Sequence, residues 1–327
     1  MKEKFNWDRK RMVGLGPMDG VTDSPFRYLN RQFGADFTFT EMISADGLVH
    51  KSKTIFEKLK FRKGERPIIA QIFGKDPEIM GEAAEMLEKE FKFDGIDINC
   101  ACPSKNVLKS GHGGALLKDE ELLLSLLDVV RHKTTLPLSV KTRLGFNDSQ
   151  QIIKLAPKME KKGINAIIVH SRTVLQKFQN LTDKSAYLRL KQQISVPIIA
   201  TGDVFNQTDI AELFEKFKVD GVLVARGALG NPWIFEGLEI VKNNPKQFLE
   251  KSKSKKLIQE ISSNQRKETV LEHLNLMIAT YGDELACVLF RKHLLWYLGR
   301  VKGTKKLKTK ATLIQNRQDV EKILEQL

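Results

Sequence analysis

"PIIAQIFGKDPEIMGEAAEMLEKEFKFDGIDINCA", residues 67–101, holds three patterns in succession. "PIIAQIFG" (67–74) is a short β-rich apolar run. "DPEIMGEAAEMLEKEFK" (76–92) repeats apolar residues at helical spacing. "GIDINCA" (95–101) is a second β-rich run. Strand, helix, strand in that order predicts a parallel βαβ unit. The same kind of run recurs on both sides. Upstream lie "RMVGLGPM" (11–18) and "ADFTFTEM" (35–42). Downstream lie "PLSVKTRLG" (137–145), "NAIIVHSRT" (165–173), "VPIIATGDV" (196–204) and "DGVLVARGA" (220–228), with the helical "DEELLLSLLDVVRHK" (119–133) before them. Eight such runs in about 230 residues predict a (β/α)8 TIM barrel, with an open doubly wound sheet as the alternative.

After "GNPWIF" (230–235) the alternation stops. The stretch 242–268 is polar and charged and reads as a connection or exposed helices. "ETVLEHLNLMIATYG" (268–282) and "DELACVLFRKHLLWYLGRV" (283–301) have amphipathic helix patterns. "KGTKKLKTKATL" (302–313) is a basic turn and helix start, and "NRQDVEKILEQL" (316–327) closes the chain as a helix. The expected division is a barrel over 1–242 and a smaller all-α domain over 243–327.

Charge follows the same division. Residues 243–327 carry 17 Lys/Arg against 9 Asp/Glu, more than half of the chain's net +14. A basic helical domain points to a polyanion partner, chiefly nucleic acid. The N-terminus is polar, and no apolar run approaches the length of a membrane span. Three cysteines do not make a disulfide framework, so a reducing, cytoplasmic setting is expected. A monomer is favoured.

Barrel active sites lie at the C-terminal ends of the strands. Here those ends deliver Pro17, Met18 and Asp19, then Glu41, Gln71, and Asn99 with Cys102. Lys141 and Arg143 follow, then His170 and Arg172, Gly202 and Asp203, and Ala225 and Arg226. Core packing alone would not select so many polar groups at one end, because unpartnered buried polar groups are costly. Glycines after the seventh and eighth strands, "ATGDV" and "ARGALG", predict a phosphate site that Arg226 can reinforce. Lys141 fits two chemistries. It can be a Schiff-base lysine, as in barrel aldolases. It can also set a positive charge beside an electron-rich cofactor, and with a phosphate site and Gln71 that cofactor can be FMN.

Cys100 and Cys102 raise a separate question: metal ligands, a redox pair, or one proton donor. Cys-x-Cys with no further matched ligand is a poor zinc site, so no metal is expected, although His112 and His170 could in principle join the pair. Cys100 sits in an apolar strand and Cys287 in an apolar helix, where free cysteine packs well.

The motifs "GPMDGVTDSPFR" (16–27), "AQIFG" (70–74), "DINCACPSKNV" (97–107) and "GGALL" (113–117) run in order along the chain. "VKTRLG" (140–145), "VHSRT" (169–173), "ATGDV" (200–204), "GNPWIF" (230–235) and "RKHLLWYL" (291–298) follow. Together they resemble the tRNA-dihydrouridine synthase family over almost the whole chain. The resemblance implies an FMN enzyme that reduces uridine in tRNA with NADPH. It implies that Pro17 and Met18 line the FMN, that Gln71 and Lys141 contact its ring, and that His170 lies beside it. Gly202, Asp203, Ala225 and Arg226 would hold the phosphate. Asn99 and Arg172 would lie near the uracil. Cys102 would be the catalytic cysteine, giving a proton to C5 while the flavin gives hydride to C6. The target base must leave its stack to reach the flavin. The helical domain would bind tRNA, with Arg291, Lys292 and the run Lys302, Lys305, Lys306, Lys308 and Lys310 as candidates. Three departures stand out. Ala101 replaces the usual Gly, Thr201-Gly202-Asp203 replaces Asn-Gly-Asp, and Ala225-Arg226 replaces Gly-Arg. The rival readings are a flavin barrel acting on a free pyrimidine, a catalytically silent RNA-binding barrel, and an aldolase using Lys141.

Overall fold

In the computed structural model, which describes residues 5–252 and 261–327, eight parallel strands close into a barrel in chain order. They are β1 (Met12–Leu15), β2 (Thr38–Ser44), β3 (Ile68–Phe73) and β4 (Gly95–Cys100), then β5 (Leu138–Arg143), β6 (Ala166–His170), β7 (Ile198–Thr201) and β8 (Gly221–Val224). β1 pairs with both β2 and β8, which closes the ring. The TIM barrel is therefore present, with all eight expected strands. Residues 253–260, inside the stretch read as a connection, lie outside the described residues, as do residues 1–4.

Both faces of every strand are covered, which is why the strands read as nearly continuous apolar runs. Along β4, Ile96, Ile98 and Cys100 belong to the outer core shared with the helices. Asp97 and Asn99, of the opposite parity, face the barrel interior. The lower interior is apolar: Met12, Phe37, Phe39, Ile69, Ile168, Ile199 and Leu223 fill it. Gly14 makes room there, because a Cβ at that position would lie 2.5 Å from the Phe37 ring. The polar residues thus collect in the upper interior.

The helices start where local chemistry predicts. Asp76 caps Pro77–Lys89 by accepting from the N–H groups of Glu78 and Ile79, and Asp119 caps Glu120–Lys133 through Leu122. The first of these helices buries Met80, Ala83, Ala84 and Leu87, an i, i+3, i+4, i+7 stripe. Replacing Leu87 by Ala would cost about 2–5 kcal/mol.

Beyond the barrel, helices Ser263–Tyr281, Asp283–Gly299, Lys305–Ala311 and Arg317–Leu324 share a second core around Val270, Leu274, Phe290, Leu294 and Val320. The first begins five residues before the expected 268. Ser262 and Gln265 form a capping box, and that polar signal sets the start ahead of the apolar stripe. Helix Pro245–Ser252 instead turns Phe248 into the barrel's outer core. The two units are joined by Phe26, whose ring packs 5.7 Å from His273 and 5.5 Å from His293. Tyr281 Oη donates to Asp23 Oδ2 at 3.0 Å across the same junction. Among the described residues no helix is long and apolar enough to cross a membrane.

Candidate active site

The upper interior opens into a cavity of about 250 Å³ at the C-terminal ends of the strands. Its wall includes Pro17, Met18, Gln71, Asn99, Cys102, Lys141, His170, Gly202, Asp203, Ala225 and Arg226. Eleven of the twelve barrel residues to which the resemblance gives a role therefore meet in one place. Arg143, Phe178 and Phe205 complete much of the remaining wall.

Cys102 sits just past β4 on a loop held from two sides. The side-chain oxygen of Asn99 accepts from the N–H groups of Ala101, at 3.0 Å, and Cys102, at 3.1 Å. On the other side the Gly114 N–H donates to the Cys102 carbonyl at 3.1 Å. Glycines are needed here. A Cβ on Gly113, whose φ is +60°, would lie 3.0 Å from the Cys102 Cβ, and one on Gly114 would lie 3.0 Å from the Cys102 carbonyl oxygen. The two cysteines part company at this point. Cys100 is fully buried in the outer core, where burial pushes its thiol far up, whereas Cys102 is half-buried and faces the cavity. His112 lies near the loop against Phe73 and does not line the cavity.

The field in the cavity is positive. Burial pushes the Lys141 ammonium down from its ordinary value, Arg143 adds to that, and Asp97 works against it. His170 is pushed down to about 2, first by burial and then by the charges of Arg143, Lys141, Arg172 and Arg226. This favours a neutral imidazole, and its buried Nδ1 has no partner among the described residues. Beneath it, burial raises the carboxyl of Asp97, opposed by hydrogen bonds from Gln71 and Ser139 and by the charge of Lys141.

At the β7–β8 side, Gly202 has φ +106° and Asp203 has φ +51°. Asp203 takes ion pairs from Arg172 and, at 2.9 Å, from Arg226. Burial works to raise its carboxyl, but the hydrogen bond and charge of Arg172 and the charge of Arg226 hold it below the usual range. The helix after β8 is a short 3-10 turn at Arg226–Ala228, and the one after β7 begins only at Gln207. Tight turns, and not the start of a long helix, therefore follow both strands at this side.

Arg172, Arg291 and Lys292, expected near the substrate, fall outside the cavity wall. Arg172 is 4% exposed and directs its guanidinium to Asp203 and to the carbonyls of Gln179 and Asn180. Arg291 donates twice to the Ile314 carbonyl, at 3.1 and 2.8 Å, inside the helical unit. Lys292 reaches the Gly20 carbonyl, in the loop that follows β1.

The sequence profile of the dihydrouridine synthase family matches residues 14–327. The chain belongs to the dihydrouridine synthase family. Among the relatives, tRNA-dihydrouridine synthase B of Pasteurella multocida is 32% identical over 294 residues, 90% of this chain and 85% of that one. A probable tRNA-dihydrouridine synthase of Aquifex aeolicus is 34% identical over 325 residues, 97% of this chain and 96% of that one. The barrel is also similar to that of the old yellow enzyme of Trypanosoma cruzi, with a TM-score of 0.52 at 11% identity over 81% of this chain and 94% of that one. That likeness is one of fold.

Two interior residues of this family member had no role assigned from the sequence. Arg143 donates to the carbonyls of Ala101 at 2.9 Å and Thr173 at 2.9 Å, tying the Cys102 loop to the loop after β6. Asp97 is fully buried below Gln71. Their parity was the available signal: both alternate in step with Lys141 and Asn99 on an inward face.

Proposed function

We propose that this family member reduces the C5=C6 bond of uridine in tRNA, with FMN as the bound flavin and NADPH as the reductant. The observation that carries this reading is Cys102, half-exposed on a pinned loop, in the same cavity as Lys141, Arg143 and His170. The names of the relatives supply tRNA as the substrate.

The residues present fit an FMN. Four cations face or flank the cavity, and they suit both a phosphate and an electron-rich ring. His170 Nδ1 is a buried polar atom without a partner among the described residues. Pro17, Met18, Gln71, Lys141 and His170 would lie along the ring, and Gly202, Asp203, Ala225 and Arg226 along the ribityl phosphate. When bound, FMN supplies the hydride for C6 of the base.

The chain's own residues then do the rest. Asn99 holds the Cys102 amide and so places the thiol over the base. The Cys102 Sγ gives its proton to C5 as charge develops on the pyrimidine. Lys141 and Arg143 stabilise that charge with preorganised positive groups. Arg172 acts through Asp203, which it orients, and we assign it to the cavity's framework. The helical unit from Ser263 onward would hold the tRNA backbone. Lys302, Lys305, Lys306, Lys308 and Lys310 are the candidates, and Lys292 would sit between that surface and the β1 loop.

The test is direct. The purified protein should carry a flavin absorbance band. With NADPH it should form dihydrouridine in unmodified tRNA, mapped by mass spectrometry, and leave free uridine untouched. Protein that purifies without flavin, or that reduces free uridine as well as tRNA, would refute the reading.

A further inference from the structure

A chain of hydrogen bonds with a fixed direction runs beneath the cavity. Asp97 Oδ1 accepts from Ser139 Oγ at 2.7 Å, and Asp97 Oδ2 accepts from Gln71 Nε2 at 2.7 Å. Gln71 Oε1 accepts from Asn99 Nδ2 at 2.9 Å. Asn99 Oδ1 accepts from the Ala101 and Cys102 amides. A side-chain amide has one donor end and one acceptor end, so each link dictates the next. An ionised carboxylate only accepts, and the Gln71 and Ser139 hydrogen bonds and the Lys141 charge favour that form of Asp97 against its burial. Asp97 therefore turns the Gln71 NH2 toward itself and leaves Gln71 Oε1 to face Asn99. Asn99 must then present its NH2 to Gln71 and its oxygen to the loop. If Gln71 were reversed, Asn99 would turn its NH2 toward two backbone N–H groups, and the loop would lose its acceptor.

The members are buried: Asp97 and Ser139 are fully enclosed, Gln71 is 1% exposed and Asn99 4%. Water therefore cannot reach the Asp97–Ser139 end of the chain to substitute for a broken link there. Register supports the arrangement, since Gln71 lies opposite Asp97 across β3–β4, and Asp97 opposite Ser139 across β4–β5. Thr40 adds a further constraint by accepting from the Gln71 backbone N–H at 3.0 Å, beside the irregularity in β2.

We propose that Asp97 is a positioning residue for Cys102, acting through the directed chain Asp97–Gln71–Asn99 onto the backbone of the Cys102 loop. The inference rests on the assignment of Cys102 as proton donor only for its catalytic consequence; the loop geometry stands apart from it.

Asp97→Asn should preserve the chain, because the Ser139 hydroxyl can turn to accept from the introduced amide NH2 while the introduced amide oxygen still accepts from Gln71. Asp97→Leu should break it at the origin, and Gln71→Met in the middle. The readout is hydrogen exchange of the Ala101 and Cys102 amides, followed by mass spectrometry in the full-length flavin-loaded protein. We expect exchange within about twofold of native in Asp97→Asn. In Asp97→Leu and in Gln71→Met it should be roughly tenfold faster, in the range of coupled polar networks. The Asp97→Leu/Gln71→Met protein should exchange no faster than either single variant, because both break one chain. In the same order, kcat for tRNA reduction should fall in the Leu and Met variants with the KM for tRNA held. If Asp97→Leu does not fold, Gln71→Met and Asp97→Asn carry the comparison. The proposal is overturned if the Leu and Met variants exchange within twofold of native, if the Asn variant is as fast as they are, or if the double variant shows the product of the single effects. Expected exchange rates in a protein whose native form makes no dihydrouridine would instead refute the functional reading alone.

Discussion

Replacing Gly202 with Ala tests the phosphate end of the cavity and the neutral His170 together. A Cβ at residue 202 would lie 3.0 Å from His170 Nε2, 3.1 Å from Cε1 and 3.2 Å from Cδ2. It would press on the far edge of the imidazole, at Nε2 and the two carbons beside it. The backbone adds a second cost, because φ there is +106° and an L side chain is strained in that region. Such strain is worth about 1–3 kcal/mol. Overpacking in a filled site adds about 1–3 kcal/mol. The ring can give a little, so the sum should fall near 2–4 kcal/mol and lower the melting point by about 5–10 °C. The two parts can be separated. In Gly202→Ala/His170→Ala the overpacking should vanish while the backbone strain stays, so part of the melting loss returns. Thermal unfolding of flavin-stripped protein measures the strain, and flavin titration measures the pocket. An unchanged melting point with full flavin retention would refute the argument. A double variant no more stable than Gly202→Ala would place the strain entirely in the backbone.

Other consequences follow from the same geometry. Cys102→Ala should keep the flavin band and NADPH oxidation and lose dihydrouridine formation by roughly a hundredfold or more, while Cys100→Ala stays active; the opposite outcome in the mass-spectrometric assay would exchange their roles. Neutralising Lys305, Lys306 and Lys308 should flatten the salt dependence of tRNA binding by roughly 0.7–0.9 in log–log slope for each phosphate contact removed. Arg291→Ala should leave that slope in place and instead cost about 1–3 kcal/mol in urea unfolding, because its donors are committed to the Ile314 carbonyl. Asp203 has its carboxyl held down in the folded protein, so the stability it contributes is present above the ordinary carboxyl pKa of about 3.9 and lost as pH falls through the lower folded value. Below about pH 4, native protein should therefore lose urea resistance more steeply than Asp203→Asn, and parallel profiles would exclude the Arg172–Asp203–Arg226 bridge as the cause.

Much of the barrel was legible because its strands are buried on both faces and its helices carry their own caps. Asp76 before Pro77 and Asp119 before Glu120 are starts that need no tertiary information. The inward ends of the strands were legible too, since polar residues rarely enter a core without a task. What the sequence left out was partnership. Arg172 and Asp203 are both polar residues at strand ends, and nothing local distinguishes a residue that faces the cavity from one that braces its neighbour. The ion pair between them forms across two βα units, so it exists only in three dimensions. Arg291 shows the same limit in the helical part. It stands in a basic stretch on an amphipathic helix, yet it turns to the carbonyl of buried Ile314. Charge patterning finds the basic surface and not the individual contact.

The junction between the two units bears on how the site is used. The loop after β1 carries Pro17 and Met18 to the cavity wall and then runs into Asp23, the cap of helix Ser24–Gln32. The helical unit touches this loop twice: Tyr281 donates to Asp23, and Lys292 reaches the Gly20 carbonyl. Burial pushes the Asp23 carboxyl up to about 6 even though the Phe26 N–H and Tyr281 hydroxyl favour its charged form. A short loop pinned at both ends has little room to move. Arg300 adds a third tie to the cavity wall by donating to the carbonyl of Gly227 at 3.2 Å. The basic helix Lys305–Ala311 packs on helix Asp283–Gly299, which bears Lys292. The basic helix and the cavity wall are thus parts of one packed assembly, and under the proposed function that continuity would hold a tRNA bound far from the thiol in register with it.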